Sequence, residues 1–283
     1  MKKYAMSSFS DSILRPERPA RNTVVLPGAP WLWAVLGVFA GSLVALFLLA
    51  PAYWLTAAIS DLSDQRLVFS DAQGSVWNGS AALTFQGGAG SRDRAPLPGR
   101  LHWDMHWSWT TLHLGLRAEC CMPPGQTVAL TLQPHWGGWT LRLQPAEAVL
   151  PAQVLAGLGT PWNTLQLHGR VAFSSPGAEL SSALNRVQLQ GALTLDMQDL
   201  GARISTLAPL GSYRLDIQGG DITQLSLRTV RGSLQLSGEG QWANGHLHFE
   251  GEARAEAGSE EALSNLLNII GRRDGARSVI TLG

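Results

Sequence analysis

Hydrophobic residues fall into two regimes along the chain. The first is one long apolar stretch. No charged residue occurs between Arg21 and Asp61, and within that gap Trp31 to Leu49 is almost wholly apolar. This exceeds the roughly 18 residues that mark a membrane-spanning helix. Aromatic residues bracket it, Trp31 and Trp33 on one side and Tyr53 and Trp54 on the other, as in an interfacial belt. At about 1.5 Å per residue, Trp31 to Trp54 spans roughly 35 Å, enough for a hydrocarbon core of about 30 Å. The pattern predicts a tail over residues 1–29, a single transmembrane helix over 30–56 and an exported domain over 57–283. Pro30 suits a first helical turn, and Pro51 lies near the exit.

The second regime begins at Leu67 and has a period of two. Leu101, Trp103, Met105, Trp107 and Trp109 alternate with His102, Asp104, His106 and Ser108. The phase slips by one residue near Thr110 and resumes with Leu112, Leu114 and Leu116, which predicts a turn or bulge there. Similar runs follow to Phe249, separated by glycine or proline clusters, giving about ten to twelve strands. With short turns and no alternating long helices, the fold class is mostly β: a large antiparallel, curved sheet with one apolar face and one or two short helices. Such a sheet must curl, close, or leave apolar surface for a ligand or partner.

Two segments carry a helical period instead. Ala146 to Leu158 places Val149, Leu150, Val154, Leu155 and Leu158 on one stripe. Ser259 to Ile270 has Ser259 as N-cap and Glu260 and Glu261 in the first turn. Its stripe is Leu263, Leu266, Leu267 and Ile270, with Gly271 at the C′ position. Residues 88–99 read as an exposed loop, and a subdivision of the exported part is placed near 157–162.

Charge then orients the chain. Lys2, Lys3, Arg15, Arg18 and Arg21 precede the apolar stretch, while Asp61, Asp64 and Arg66 follow it. The positive-inside rule keeps the N-terminus in the cytoplasm and exports the C-terminal part. A cleaved signal peptide fits less well, because the stretch starts late and ends without a small-x-small site. Basic and acidic residues balance at 21 each, which gives nucleic acid no global electrostatic footprint. Gly37 and Gly41 form a G-x-x-x-G, a spacing that can bring two membrane helices together.

Candidate chemistry is sparse. There is no nucleophile elbow, phosphate loop, dinucleotide fingerprint or H-E-x-x-H. His102, Asp104 and His106 share one strand face, and His246 and His248 form a second His-x-His; either could ligate a metal with help from a neighbouring strand. The plainer reading is a half-exposed polar face, so no catalytic, cofactor-binding or metal residue is assigned. Trp103, Trp107 and Trp109 read as core or as the wall of an apolar groove. Cys120 and Cys121 are adjacent and read as two small half-buried residues, since neighbours bridge only through a strained ring. Asn78-Gly79 reads as turn chemistry.

One stretch carries a resemblance. Gly74-Ser75-Val76-Trp77-Asn78-Gly79-Ser80-Ala81 resembles the G-x-[VL]-W-x-G-x-A signature of protein N of the bacterial type II (general) secretion system. The order of pieces is similar too: a short tail, one anchor, then a β-rich region. The Leu101–Trp109 strand sits where that family has a Trp-rich strand. The ending is similar as well: Trp242 to Gly251, a helix with Leu266-Leu267, then Gly271-Arg272-Arg273 and a final strand. The resemblance implies a non-enzymatic accessory of the machine that moves folded proteins across the outer membrane. It would sit in the bacterial inner membrane with its C-terminal domain in the periplasm. Its partners would be other membrane components of that system; the apolar span adds inner-membrane lipid, and the Gly37/Gly41 spacing adds self-association through the helix. It implies no cofactor. An anchored β-sheet protein whose apolar groove binds or conducts lipid is the alternative the residue pattern leaves open.

Overall fold

The computed structural model describes residues 31–123, 125–159, 162–183, 186–243 and 246–283; the predicted tail and Pro30 lie outside them. The chain divides after Val44, and Ala45–Gly283 forms one compact unit. Helix α1 (Trp31–Leu48) is apolar on every side and buries none of its residues. Among the described residues it is the one helix long and apolar enough to cross a membrane.

The helix stops earlier than predicted, and proline is the cause. Pro51 has no N–H to return to the carbonyl of Phe47 and its ring would crowd that group. After the break, α2 (Ala52–Leu62) begins directly behind Pro51. Tyr53 and Trp54 therefore stand on α2, not on α1.

Sixteen antiparallel strands follow among the described residues, in one curved sheet. They are β1 (Leu67–Gly74), β2 (Asn78–Gln86), β3 (Arg94–Pro96), β4 (Leu101–Ser108), β5 (Thr111–Ala118), β6 (Val128–His135), β7 (Gly138–Leu143) and β8 (Ala146–Pro151). Then come β9 (Leu167–Ala183), β10 (Arg186–Ala202), β11 (Gly211–Gln218), β12 (Thr223–Arg231), β13 (Leu234–Ala243), β14 (His246–Ala255), β15 (Arg272–Asp274) and β16 (Arg277–Leu282). A short helix α3 (Trp162–Leu165) precedes β9, and α4 (Glu260–Ile270) precedes β15. The spatial order is β1-β2-β4-β5-β6-β7-β9-β10-β11-β12-β13-β14-β16-β15, with β3 on β2 and β8 on β9. Strands on both sides of residues 157–162 belong to this sheet, β7 pairing directly with β9. Part of the shortfall in the sequence count is β3 and β15, which have three residues each, too short to show a period, and β8, which lies in a segment expected to be helical.

Register aligns the apolar residues into rungs. Trp107 faces Leu112, which faces Leu132, then Leu141, Leu180 and Leu189. A parallel rung runs Met105, Leu114, Leu130, Leu143. Cross-strand pairs of this kind are what stabilise a sheet. The apolar face is covered in places. Ala52 of α2 packs with Ala81 and Trp103. Leu263, Leu266 and Leu267 of α4 pack with Leu200, Tyr213 and Leu234. Between these caps the rung from Leu112 to Leu189 stays half-exposed.

Three local expectations are corrected. Ala146 to Leu158 is not a helix: its first half is β8, paired with β9, and its second half, Ala152–Leu158, is a 3-10 segment. Pro151, at the end of β8, breaks the segment. Gly271 does not take the left-handed C′ conformation; at φ −165° it is extended, because the chain runs straight into β15. The Asn78-Gly79 pair is not the turn. Both residues lie in β2, and the reversal is made by residues 75–77 with Gly74 opposite Gly79.

Candidate functional site

The signature segment forms the junction between the end of α1 and the first strands. Ending a helix leaves its last carbonyls without partners. Here the segment supplies partners for the Phe47 and Ala50 carbonyls. The Val76 N–H donates to the Ala50 carbonyl at 2.8 Å. The Trp77 indole N–H donates to the Phe47 carbonyl at 2.8 Å, the acceptor that Pro51 cannot serve. The Phe47 and Trp77 rings meet edge to face at 4.7 Å, a favoured aromatic geometry. A bridge between Pro51 and Ser75 completes the contact.

The other side of the same segment holds β4. The Trp103 indole N–H donates to the Val76 carbonyl at 3.1 Å, and the Met105 N–H donates to the Trp77 carbonyl at 2.6 Å. The two glycines make this approach feasible. Gly74 sits at φ +88°, a conformation that side chains disfavour. A Cβ on Gly79 would meet the Trp103 ring at 2.6 Å and the Gln73 carbonyl oxygen at 2.7 Å. Ala81, fully buried, packs beneath Trp103. Each of Gly74, Val76, Trp77 and Gly79 therefore has a physical job in one joint.

A polar clamp sits beside it. The Arg100 guanidinium donates to the Asp71 carboxylate at 2.6 Å, to the Asp71 carbonyl at 2.6 Å and to the Ser80 hydroxyl at 3.1 Å. Its backbone N–H donates to Glu119, whose other oxygen pairs with His102 Nε2 at 2.7 Å. Hydrogen bonds from Arg100 and Gln73 hold the Asp71 carboxyl below its usual range. Those from His102 and the Arg100 backbone do the same for Glu119. The clamp ties β1, β2, β4 and β5. Sequence reasoning missed it, because residues 71, 80, 100 and 119 meet only through strand register.

Other candidates scatter. His102 is taken by Glu119, His106 stacks on His113 of β5 at 4.9 Å, and Asp104 lies over Gly115. The three point to different partners, and among the described residues no group of three or more His, Cys, Asp or Glu could hold a metal ion. His246 and His248 stand exposed on β14. Of the tryptophan trio only Trp103 is core, at 5% exposure; Trp107 is about half-exposed, and Trp109 lies in the β4–β5 turn, fully exposed. Cys120 and Cys121, expected as two small half-buried residues, form a disulfide to each other, with Cys121 buried and Cys120 exposed. On α1, Gly37 and Gly41 have open space around them, and Trp31 and Trp33 are exposed.

The family model of the type II secretion system (T2SS), protein N, matches residues 65–280 of the 283. The chain belongs to that family. The match begins just before β1 and ends in β16, so the whole sheet is the family's domain, and α1 precedes it. No curated protein and no solved structure matches the chain. As a protein N family member it is a component of the secretion system and works with the other components. The one such apolar helix among the described residues is compatible with single-pass inner-membrane anchoring.

Proposed function

We propose that the protein is a non-enzymatic adapter of the type II secretion system, held in the inner membrane by α1, with its sheet in the periplasm. The observation that carries this reading is the junction at Trp77. A helix that needs an apolar solvent ends in a joint where the Phe47 and Ala50 carbonyls and the Trp77 and Trp103 indole N–H groups are paired. Such a joint holds a wide sheet next to the membrane surface, where a scaffold would meet other membrane-bound components.

The test is secretion itself. Cells lacking the protein should retain folded substrates of the system in the periplasm, and the wild-type gene should restore release. Unchanged secretion in the deletion strain would rule the reading out.

A specific observation favours a second reading. The Leu112–Leu132–Leu141–Leu180–Leu189 rung is apolar, continuous over five strands and half-exposed. An acyl chain lying across it would bury surface at about 25 cal/mol per Å². Retention of lipid by the purified protein after delipidation is the corresponding measurement.

A further inference from the structure

The hairpins of the first strands turn at one end of the sheet. β1 runs toward the 75–77 loop that touches the last turn of α1. Because every pairing is antiparallel, the β4–β5 turn at Trp109-Thr110 and the β6–β7 turn at Trp136-Gly137 lie at that same end. Each of these three successive tips carries a tryptophan. Trp109 and Trp136 are fully exposed, at 101% and 105%.

Folding does not explain those side chains. Trp109 occupies a left-handed position, φ 54°, where two-residue turns favour asparagine, aspartate or glycine. Neither indole touches the core clusters. The segments that carry the tips also lack charge: residues 72–91, 105–116 and 120–141 contain no Asp, Glu, Lys or Arg. Charged residues gather instead toward the opposite end of the same strands, at Arg92, Asp93, Arg94, Arg117 and Glu119.

We infer that the 75–77, 109–110 and 136–137 tips insert into the interfacial layer of the bilayer anchored by α1, with Trp109 and Trp136 at the depth of the lipid carbonyls. Indoles favour that layer because a large apolar ring and one N–H donor are both satisfied there. Charge-free tips enter it without the cost of desolvating an ion. The shared end with the last turn of α1 makes the membrane the occupant. The inference rests on α1 being the membrane anchor. Its consequence is that the sheet meets the bilayer along three hairpins and not at a single point.

The experiment uses the full-length protein in phosphatidylethanolamine–phosphatidylglycerol vesicles doped with a lipid brominated near the top of its acyl chains. Tryptophan emission of the wild type is compared with that of Trp109→Phe/Trp136→Phe, with quenching by bromolipid or by aqueous iodide. The double variant should lose up to two of eleven tryptophans' share from the bromolipid-quenched fraction, with the iodide-quenched fraction unchanged. Its unfolding transition should match the wild type, since both side chains are exposed. Loss from the iodide-quenched fraction would place the tips in water, and loss from neither would place them against protein; both overturn the inference. Failure of the protein to float with vesicles at all would instead refute the anchor reading.

Discussion

The indole N–H of Trp77 donates to the backbone carbonyl of Phe47 at 2.8 Å, across 30 residues of chain. That carbonyl would ordinarily accept from residue 51, and residue 51 is proline. One residue creates the orphan acceptor and the other satisfies it. The tryptophan of the family signature is thus explained by a proline that the signature does not contain.

Replacing Trp77 with phenylalanine keeps the ring contact and removes the donor. Losing one hydrogen bond and leaving a carbonyl unpaired should cost about 1–2 kcal/mol. Denaturant unfolding in detergent would measure it, and Trp77→Ala should cost more because the 4.7 Å ring pair is lost as well. A Trp77→Phe variant as stable as the wild type would show that water serves the Phe47 carbonyl equally well.

Gly79→Ala should be more disruptive than its size suggests. The added methyl meets the Trp103 ring at 2.6 Å and two backbone oxygens at 2.7 and 2.9 Å. Overpacking of this kind costs typically 1–3 kcal/mol. Gly37→Ala, with nothing within 4 Å, is the control and should leave the unfolding midpoint of the sheet unchanged.

Acid should loosen the clamp. The Asp71 and Glu119 carboxyls are held below their usual range by Arg100 and His102. Groups with depressed native values stabilise the fold above the unfolded carboxylate range, near pH 4, and lose that contribution as pH falls through the native value. Stability should therefore drop below about pH 4, and Asp71→Asn with Glu119→Gln should flatten that limb. An acid limb of the same slope in the double variant would remove these two carboxylates from the account.

Leu263 and Leu267 of α4 are fully buried against the far half of the sheet. Truncating either to alanine should cost about 2–5 kcal/mol. A thermal melt of each variant decides it; a loss under 1 kcal/mol would mean that α4 is not the cap of this core.

Legibility varied with the range of the physics involved. Leu101 to Trp107 and Leu112 to Leu116 alternate because a strand presents successive side chains to opposite faces, so β4 and β5 were readable from local sequence. The stripe of α4 was readable for the same reason with a different period. Residues 146–158 deceive because the same apolar spacing suits a helix and a strand followed by a 3-10 turn, and β9 decides the matter from outside the segment. The signature itself was visible at Gly74 to Ala81. What it does was not, because its partners, Phe47, Ala50 and Trp103, are brought to it only by the fold.

The most direct test of the central claim is native mass spectrometry of the full-length protein extracted from membranes, with co-purifying proteins and lipids identified. An adapter predicts stoichiometric amounts of other type II secretion system membrane components and no tightly held lipid. A protein that emerges without those components and with lipid bound to its sheet would contradict the adapter role and leave the apolar rung from Leu112 to Leu189 as the working surface.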